Sequence, residues 1–196
     1  MSNFTDFFPA ASGGGGGGIP KYQEFTSSGT FTPTQALIDA GGRVAYMIVG
    51  GGEKGESSWP KKYGGAGGQV KVGYATLTST TGCAVTIGAG GTGSAGADGG
   101  NSSVAFNSAG GTAVTANGGN GLNGPSNGSN HGSWSYTSHS YANSAAAHPG
   151  FFGGYGAGGG SSGDFAGGVN SAVANMGHGT QGGDGGSGFV RITWFE

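Results

Sequence analysis

The chain has little of what most proteins of 196 residues use to brace themselves or to act on other molecules. It has one cysteine, Cys83, so no disulfide can close within it. That thiol sits in CAVTIG, where it reads as a buried strand residue. Seven Lys and Arg stand against nine Asp and Glu, a net charge of −2 with no basic patch, so a nucleic-acid backbone finds little to bind. No apolar run approaches the roughly 20 residues of a membrane-spanning helix. The opening MSNFTDFFPAAS has no basic region and no long apolar core, and so does not read as a secretory signal. The expected site of synthesis is a cytoplasm.

Catalytic and metal-binding patterns are equally scarce. MIVGGGEKGES runs a strand into glycines and a lysine, but SSWPKKYGG follows where a phosphate loop needs a helix. His131, His139 and His148 lack metal-ligand spacing, which leaves open only one histidine per chain meeting a metal on the axis of an oligomer. Asp98, Asp164 and Asp184 lack the nonapeptide register of calcium solenoids. No Ser/His/Asp set or carboxylate pair is placed for acid–base chemistry. The expectation is a protein that is not an enzyme and carries no cofactor and no metal.

Glycine is what the chain has instead: 51 residues, about four times the usual share of about 7%. Such a composition alone suggests disorder. Against that stand an aromatic content of 11% and several strand-like segments between the glycine tracts. YQEFTSSGTFTP, with aromatics alternating about Ser-Ser-Gly, predicts a hairpin. RVAYMIVG (43–50), QVKVGYATLT (69–78, through Val70, Val72 and Tyr74) and CAVTIG (83–88) read as strands. SSVAF (102–106) and TAVTA (112–116) are shorter ones, and GFVRITWF (188–195) closes the chain with Phe189, Ile192 and Trp194 as core. One helical turn is expected at PTQALIDAGG (33–42), capped by Thr32, started by Pro33 and ended by Gly41. The chain divides into a segment of residues 1–21, with Phe4, Phe7 and Phe8 ahead of the tether Gly13–Gly18, and a glycine-rich domain of residues 22–196.

In and beside the tracts 64–68, 88–100, 117–124, 153–163 and 177–188, glycine often recurs every third residue. It does so at Gly90, Gly93, Gly96 and Gly99, at Gly150, Gly153, Gly156 and Gly159, and at Gly179, Gly182, Gly185 and Gly188. A period of three fits neither an α-helix nor a strand. It fits the extended left-handed helix of three residues per turn, which makes no internal hydrogen bonds. Its N–H and C=O groups must find neighbours, and glycine permits the close approach. The fold expected is therefore mostly β, with short strands forming a root sheet or sandwich. The glycine tracts pack as a bundle of parallel and antiparallel polyglycine II helices, with little or no α-helix.

In the order FTSSGTFTP, MIVGGGEKG, YGGAGGQVKV, TIGAGGTGSAGADGGNSSVAF, TANGGNG and GGDGGSGFVRITWFE, the chain resembles the glycine-rich domain of bacteriophage tail-fibre and tail-tip adhesin proteins, over about residues 22–196. The resemblance implies a virion protein near the host-contacting end of a tail. Its glycine tracts would form a polyglycine II sandwich, and its connecting loops would bind a host surface polysaccharide or outer-membrane protein. Phe4, Phe7 and Phe8 would attach to other tail proteins, and a homotrimer is expected. The alternative is a structural virion cap or fibre protein that recognises nothing specific.

Two loops have the composition of recognition loops. SNHGSWSYTSHSYANSAAAHPGFF (129–152) sets Trp134, Tyr136, His139 and Tyr141 among Ser, Asn, Ala and Gly, giving rigid contact area at small entropic cost. EKGESSWPKKYGG (53–65) carries Trp59, Lys61, Lys62 and Tyr63, a set suited to an anionic sugar or phosphate. Phe151, Phe152, Phe165 and Met176 read as packing residues instead.

Overall fold

The computed structural model describes residues 18–55, 65–94, 97–111, 113–120 and 184–196. Among these the protein is mostly β, with a single short helix. The strands are β1 (Pro20–Phe25), β2 (Gly29–Phe31), β3 (Arg43–Val49), β4 (Val70–Thr76), β5 (Cys83–Thr86), β6 (Ser102–Ala105), β7 (Ala113–Ala116) and β8 (Phe189–Phe195), and the helix is α1 (Gln35–Asp39). They form two four-stranded antiparallel sheets, in the orders β1-β8-β3-β4 and β2-β5-β6-β7.

The alternation of the strands explains how the sheets meet. One face of β3 and β8 supplies Val44, Ile48, Val190, Ile192 and Trp194 to a common core, and the second sheet supplies Phe31, Cys83, Val85, Val104 and Phe106. Phe31 meets Trp194 edge to face, with ring centroids 5.2 Å apart. Tyr46 meets Phe106 at 5.3 Å. Burying some 2 kcal/mol worth of apolar surface per large side chain, these contacts hold the two sheets as a sandwich. Phe189, Ile192 and Trp194 are all buried, as their sequence suggests, but they do not share a face. Phe189 lies on the other side of the sheet, in a smaller cluster with Val49, Val70 and Met47.

Two local expectations are corrected. YQEFTSSGTFTP is not a hairpin: β1 pairs with β8 and β2 with β5, so the Ser-Ser-Gly corner carries the chain from one sheet to the other. The helix is capped by Thr34, not Thr32, because Thr34 Oγ1 accepts the Leu37 N–H at 3.1 Å. Pro33 therefore precedes the cap rather than starting the helix. The face of β4 bearing Val72 and Tyr74 points outward, leaving them 51% and 45% exposed, because the facing sheet covers the opposite side.

Six described glycine-rich segments leave the sandwich at the same end. β3 and β8 face each other there at Val49 and Phe189, and β3 and β4 at Val49 and Val70. In the second sheet Thr86 lies opposite Ser103, and Ser102 opposite Ala116. Three excursions start and finish at this end, giving six arms: 50–54 out and 65–69 back, 88–91 out and 97–100 back, 117–120 out and 184–188 back. The excursion from β5 to β6 is thus a pair of arms, not the single tract expected over 88–100. Gly93 belongs to the turn between them. Its φ of +82° suits glycine, and a side chain there would meet nothing within 4 Å.

The arms bond to one another through their backbones with a three-residue step. Gly50 and Glu53 donate to Gln69 and Ala66 at 2.9 and 2.8 Å. Gly51 and Lys54 donate to Gly100 and Ala97, both at 2.9 Å, and Gly52 donates to Gly186 at 2.8 Å. Successive N–H groups of one arm thus address three different neighbours. A strand reaches only two, in one plane. Gly51 and Gly52 in turn accept from Gly119 and Gly91 at 2.8 Å, so arm 50–54 bonds to all five others. Among the outer arms, Gly185 donates to Gly91 and Gly188 to Gly88, again three residues apart.

This closeness is why the residue must be glycine. A Cβ on Gly51, Gly90, Gly99, Gly118 or Gly185 would stand closer than 3.0 Å to a backbone carbonyl oxygen of a neighbouring arm. A Cβ on Gly188 would meet Val49 O and Ser102 Oγ as closely. None of these glycines has a positive φ, so the demand is for space. Of the expected scaffold glycines, Gly90, Gly99, Gly185 and Gly188 lie in this packing. Gly96, Gly150, Gly153, Gly156, Gly159, Gly179 and Gly182 lie outside the described residues.

Candidate recognition surfaces

The far end of the six arms is the first surface. The chain leaves the described residues at Gly55 and returns at Gly65, and leaves again at Asn120 and returns at Asp184. The antiparallel bonds of 50–54 with 65–69 put Gly55 and Gly65 at the same end. Gly119 and Gly185 sit against Gly51, Gly52 and Gly91, which brings Asn120 and Asp184 to that end too.

Side chains tie these roots together. Lys54 Nζ meets Asp184 Oδ1 at 2.6 Å, joining the first excursion to the return of the third. Asn120 Nδ2 donates to Asp98 Oδ2 at 3.1 Å, joining the third to the second. Glu53, wholly buried among the arms, accepts the Ala66 N–H on Oε2 at 2.7 Å. Residues 53–55 were expected to open a loop, but Glu53 and Lys54 belong to the packed arm instead, because their amides are needed by Ala66 and Ala97. The candidate contact residues Trp59, Lys61, Lys62 and Tyr63, and Trp134, Tyr136, His139 and Tyr141, lie outside the described residues, between these roots.

The opposite end of the sandwich holds Ile19 and Glu196. Ile19 N–H donates to Glu196 O at 2.9 Å, beside the Pro20–Phe195 pair. The Glu196 carboxylate accepts from Lys21 Nζ and Thr34 Oγ1. Those two hydrogen bonds, Lys21 first, hold its carboxyl below the ordinary range. Phe4, Phe7 and Phe8 precede this point and lie outside the described residues.

A second surface, which sequence reasoning did not single out, is the outward face of the β1-β8-β3-β4 sheet. Register sets Tyr22, Thr193, Ala45 and Tyr74 in one row across the four strands. The next row toward the arms is Glu24, Arg191, Met47 and Val72. Tyr22 is 68% exposed. The Arg43 guanidinium lies over the Tyr74 ring at 4.8 Å, and Arg191 over Tyr22 at 5.8 Å while pairing with Glu24. The signal was present in the alternation of Tyr22 with Glu24 and of Val72 with Tyr74, but alternation does not say which face is covered.

Comparison with family models, with curated proteins and with solved structures gave no match. Among the described residues no group of three His, Cys, Asp or Glu is arranged to hold a metal ion. Cys83 is buried on β5, and burial pushes its thiol pKa up, away from nucleophilic use.

Proposed function

We propose that this chain is a recognition protein of a bacteriophage tail, non-enzymatic, in which a polyglycine II bundle carries two aromatic connections to the host surface. One observation carries the reading: both connections that hold the candidate aromatics are rooted at the same end of the glycine arms, opposite the end where Ile19 pairs with Glu196. We read the two ends as an attachment pole and a display pole. Loops raised on a rigid base are the usual device for recognition, because the base fixes their ends while their sequence is free to vary.

Three further facts support the bundle. The hydrogen bonds between arms repeat every three residues, three directions are addressed in succession, and the contacting glycines leave no room for a Cβ. The partner at the display pole is a host polysaccharide or outer-membrane protein, and Phe4, Phe7 and Phe8 engage other tail proteins. The working assembly is a homotrimer in the virion.

Adsorption competition tests this. Purified protein is added to host cells before phage, beside a variant with Trp134→Ala and Tyr136→Ala. Wild type blocks adsorption and the variant does not. If folded wild-type protein blocks nothing, the chain serves the tail as a structural cap instead.

A further inference from the structure

We propose that the outward face of the β1-β8-β3-β4 sheet binds an anionic, carboxylated polysaccharide of a cell coat, gripped by Tyr22 and Tyr74 at its two edges and by the Arg43 guanidinium. This goes beyond the display-pole reading and stands whether or not the distal connections bind anything. Tyr22 and Tyr74 occupy the two edge strands of the sheet in the same row, with only Thr193 and Ala45 between them. Three strand spacings put the two about 14 Å apart. The small residues between them make a shallow floor, and the rings stand at its rims. Tyrosine faces suit the C–H faces of sugar rings, which carry partial positive charge.

The charge of this face selects the ligand. The protein as a whole is acidic, net −2, yet the face carries two guanidiniums, Arg43 and Arg191, against one carboxylate, Glu24. Glu24 is already engaged by Arg191, and the described residues give Arg43 no carboxylate partner. The Arg43 guanidinium lies 4.8 Å from the Tyr74 ring centroid, so an aromatic ring and a guanidinium with no carboxylate partner among the described residues stand side by side at that rim; Arg191 lies 5.8 Å from both the Tyr22 and Phe189 rings and is shared with Glu24. Guanidinium is the group best matched to a carboxylate, through two parallel hydrogen bonds. A sugar chain bearing carboxylates at intervals meets both requirements. A second copy of this protein fits less well, since a two-fold contact would set the same positive face against itself.

The full chain is titrated against immobilised polygalacturonate, with neutral dextran of similar length as control, at low and at physiological salt. The expected result is retention on polygalacturonate only, falling with salt as exposed charges are screened. Tyr22→Ala with Tyr74→Ala weakens it about tenfold or more. Arg43→Gln alone weakens it and flattens its salt dependence, and it keeps the proposal testable should the double variant unfold. Trp134→Ala with Tyr136→Ala leaves it unchanged, which separates this surface from the display pole. No retention, or retention equal on dextran, overturns the proposal. So does retention that survives Arg43→Gln. A concentration-dependent dimer, broken by the tyrosine variants in sedimentation, overturns it in favour of a second copy.

Discussion

Gly51→Ala is the substitution that most sharply separates a packed glycine array from a set of loops. In a loop, alanine for glycine stabilises by about 0.4–1 kcal/mol, because the unfolded chain loses freedom. At Gly51 the added Cβ would fall inside the contact distance of Ala89 O, with Ala89 C and Gly100 N also too close. These are backbone atoms, so no side chain can swing away. Overpacking of this kind costs about 1–3 kcal/mol. Moving the arm also stretches the bonds Gly51 N to Gly100 O and Gly119 N to Gly51 O, 2.9 and 2.8 Å long, each contributing about 1 kcal/mol. The sum, less the loop gain, is a loss of about 2–4 kcal/mol, a large part of a typical total of about 5–15 kcal/mol. For a chain of this size it lowers the Tm by roughly 4–16 °C. Gly29→Ala is the control: a Cβ there stands 3.6 Å from the Phe25 ring, ordinary contact, so its stability stays within about 1 kcal/mol of wild type. The assay is urea unfolding followed by circular dichroism. A Gly51→Ala protein as stable as Gly29→Ala refutes the reasoning.

Other consequences follow from single side chains. Thr34→Ala removes the cap of α1 together with a Glu196 contact and costs about 1 kcal/mol in the same unfolding assay, while Thr34→Ser restores most of it. Glu53→Ala strands the buried Ala66 N–H and costs about 1–3 kcal/mol, whereas Glu53→Gln keeps an acceptor and costs less. Because Glu196 has its carboxyl held low in the folded state, its contribution is present above the unfolded pKa and is lost as pH falls through the folded one. The Tm of Glu196→Gln therefore changes less than that of wild type between pH 6 and roughly pH 3.

How much of this was legible depends on what each signal measures. Runs of β-branched and aromatic residues mark strands wherever they lie, so 43–50, 69–78, 83–88 and 188–195 were readable with boundaries close to those of β3, β4, β5 and β8. Pairing was not: Ser-Ser-Gly makes a corner as readily as a hairpin, and only the wider sheet decides that β1 joins β8. Nor could the facing of Val72 and Tyr74 be read, since period two names two faces and tertiary packing chooses between them. The three-residue clock pointed to the right kind of contact but counted too broadly, because a turn glycine such as Gly93 falls in step with packed ones by chance. It also passed over Gly50–Gly52, the most bonded arm. That stretch is too short to show a period, and it looked like the end of a strand.

Native-state hydrogen exchange of the glycine amides tests the central claim most directly. If the arms are a hydrogen-bonded array anchored on the sandwich, Gly51, Gly52, Gly119 and Gly185 exchange on the timescale of Ile48 and Val190, slowed about 10⁴-fold or more relative to an open chain. If those four amides exchange at open-chain rates while the strands remain protected, the arms are loops, and the rigid display pole they are said to build does not exist.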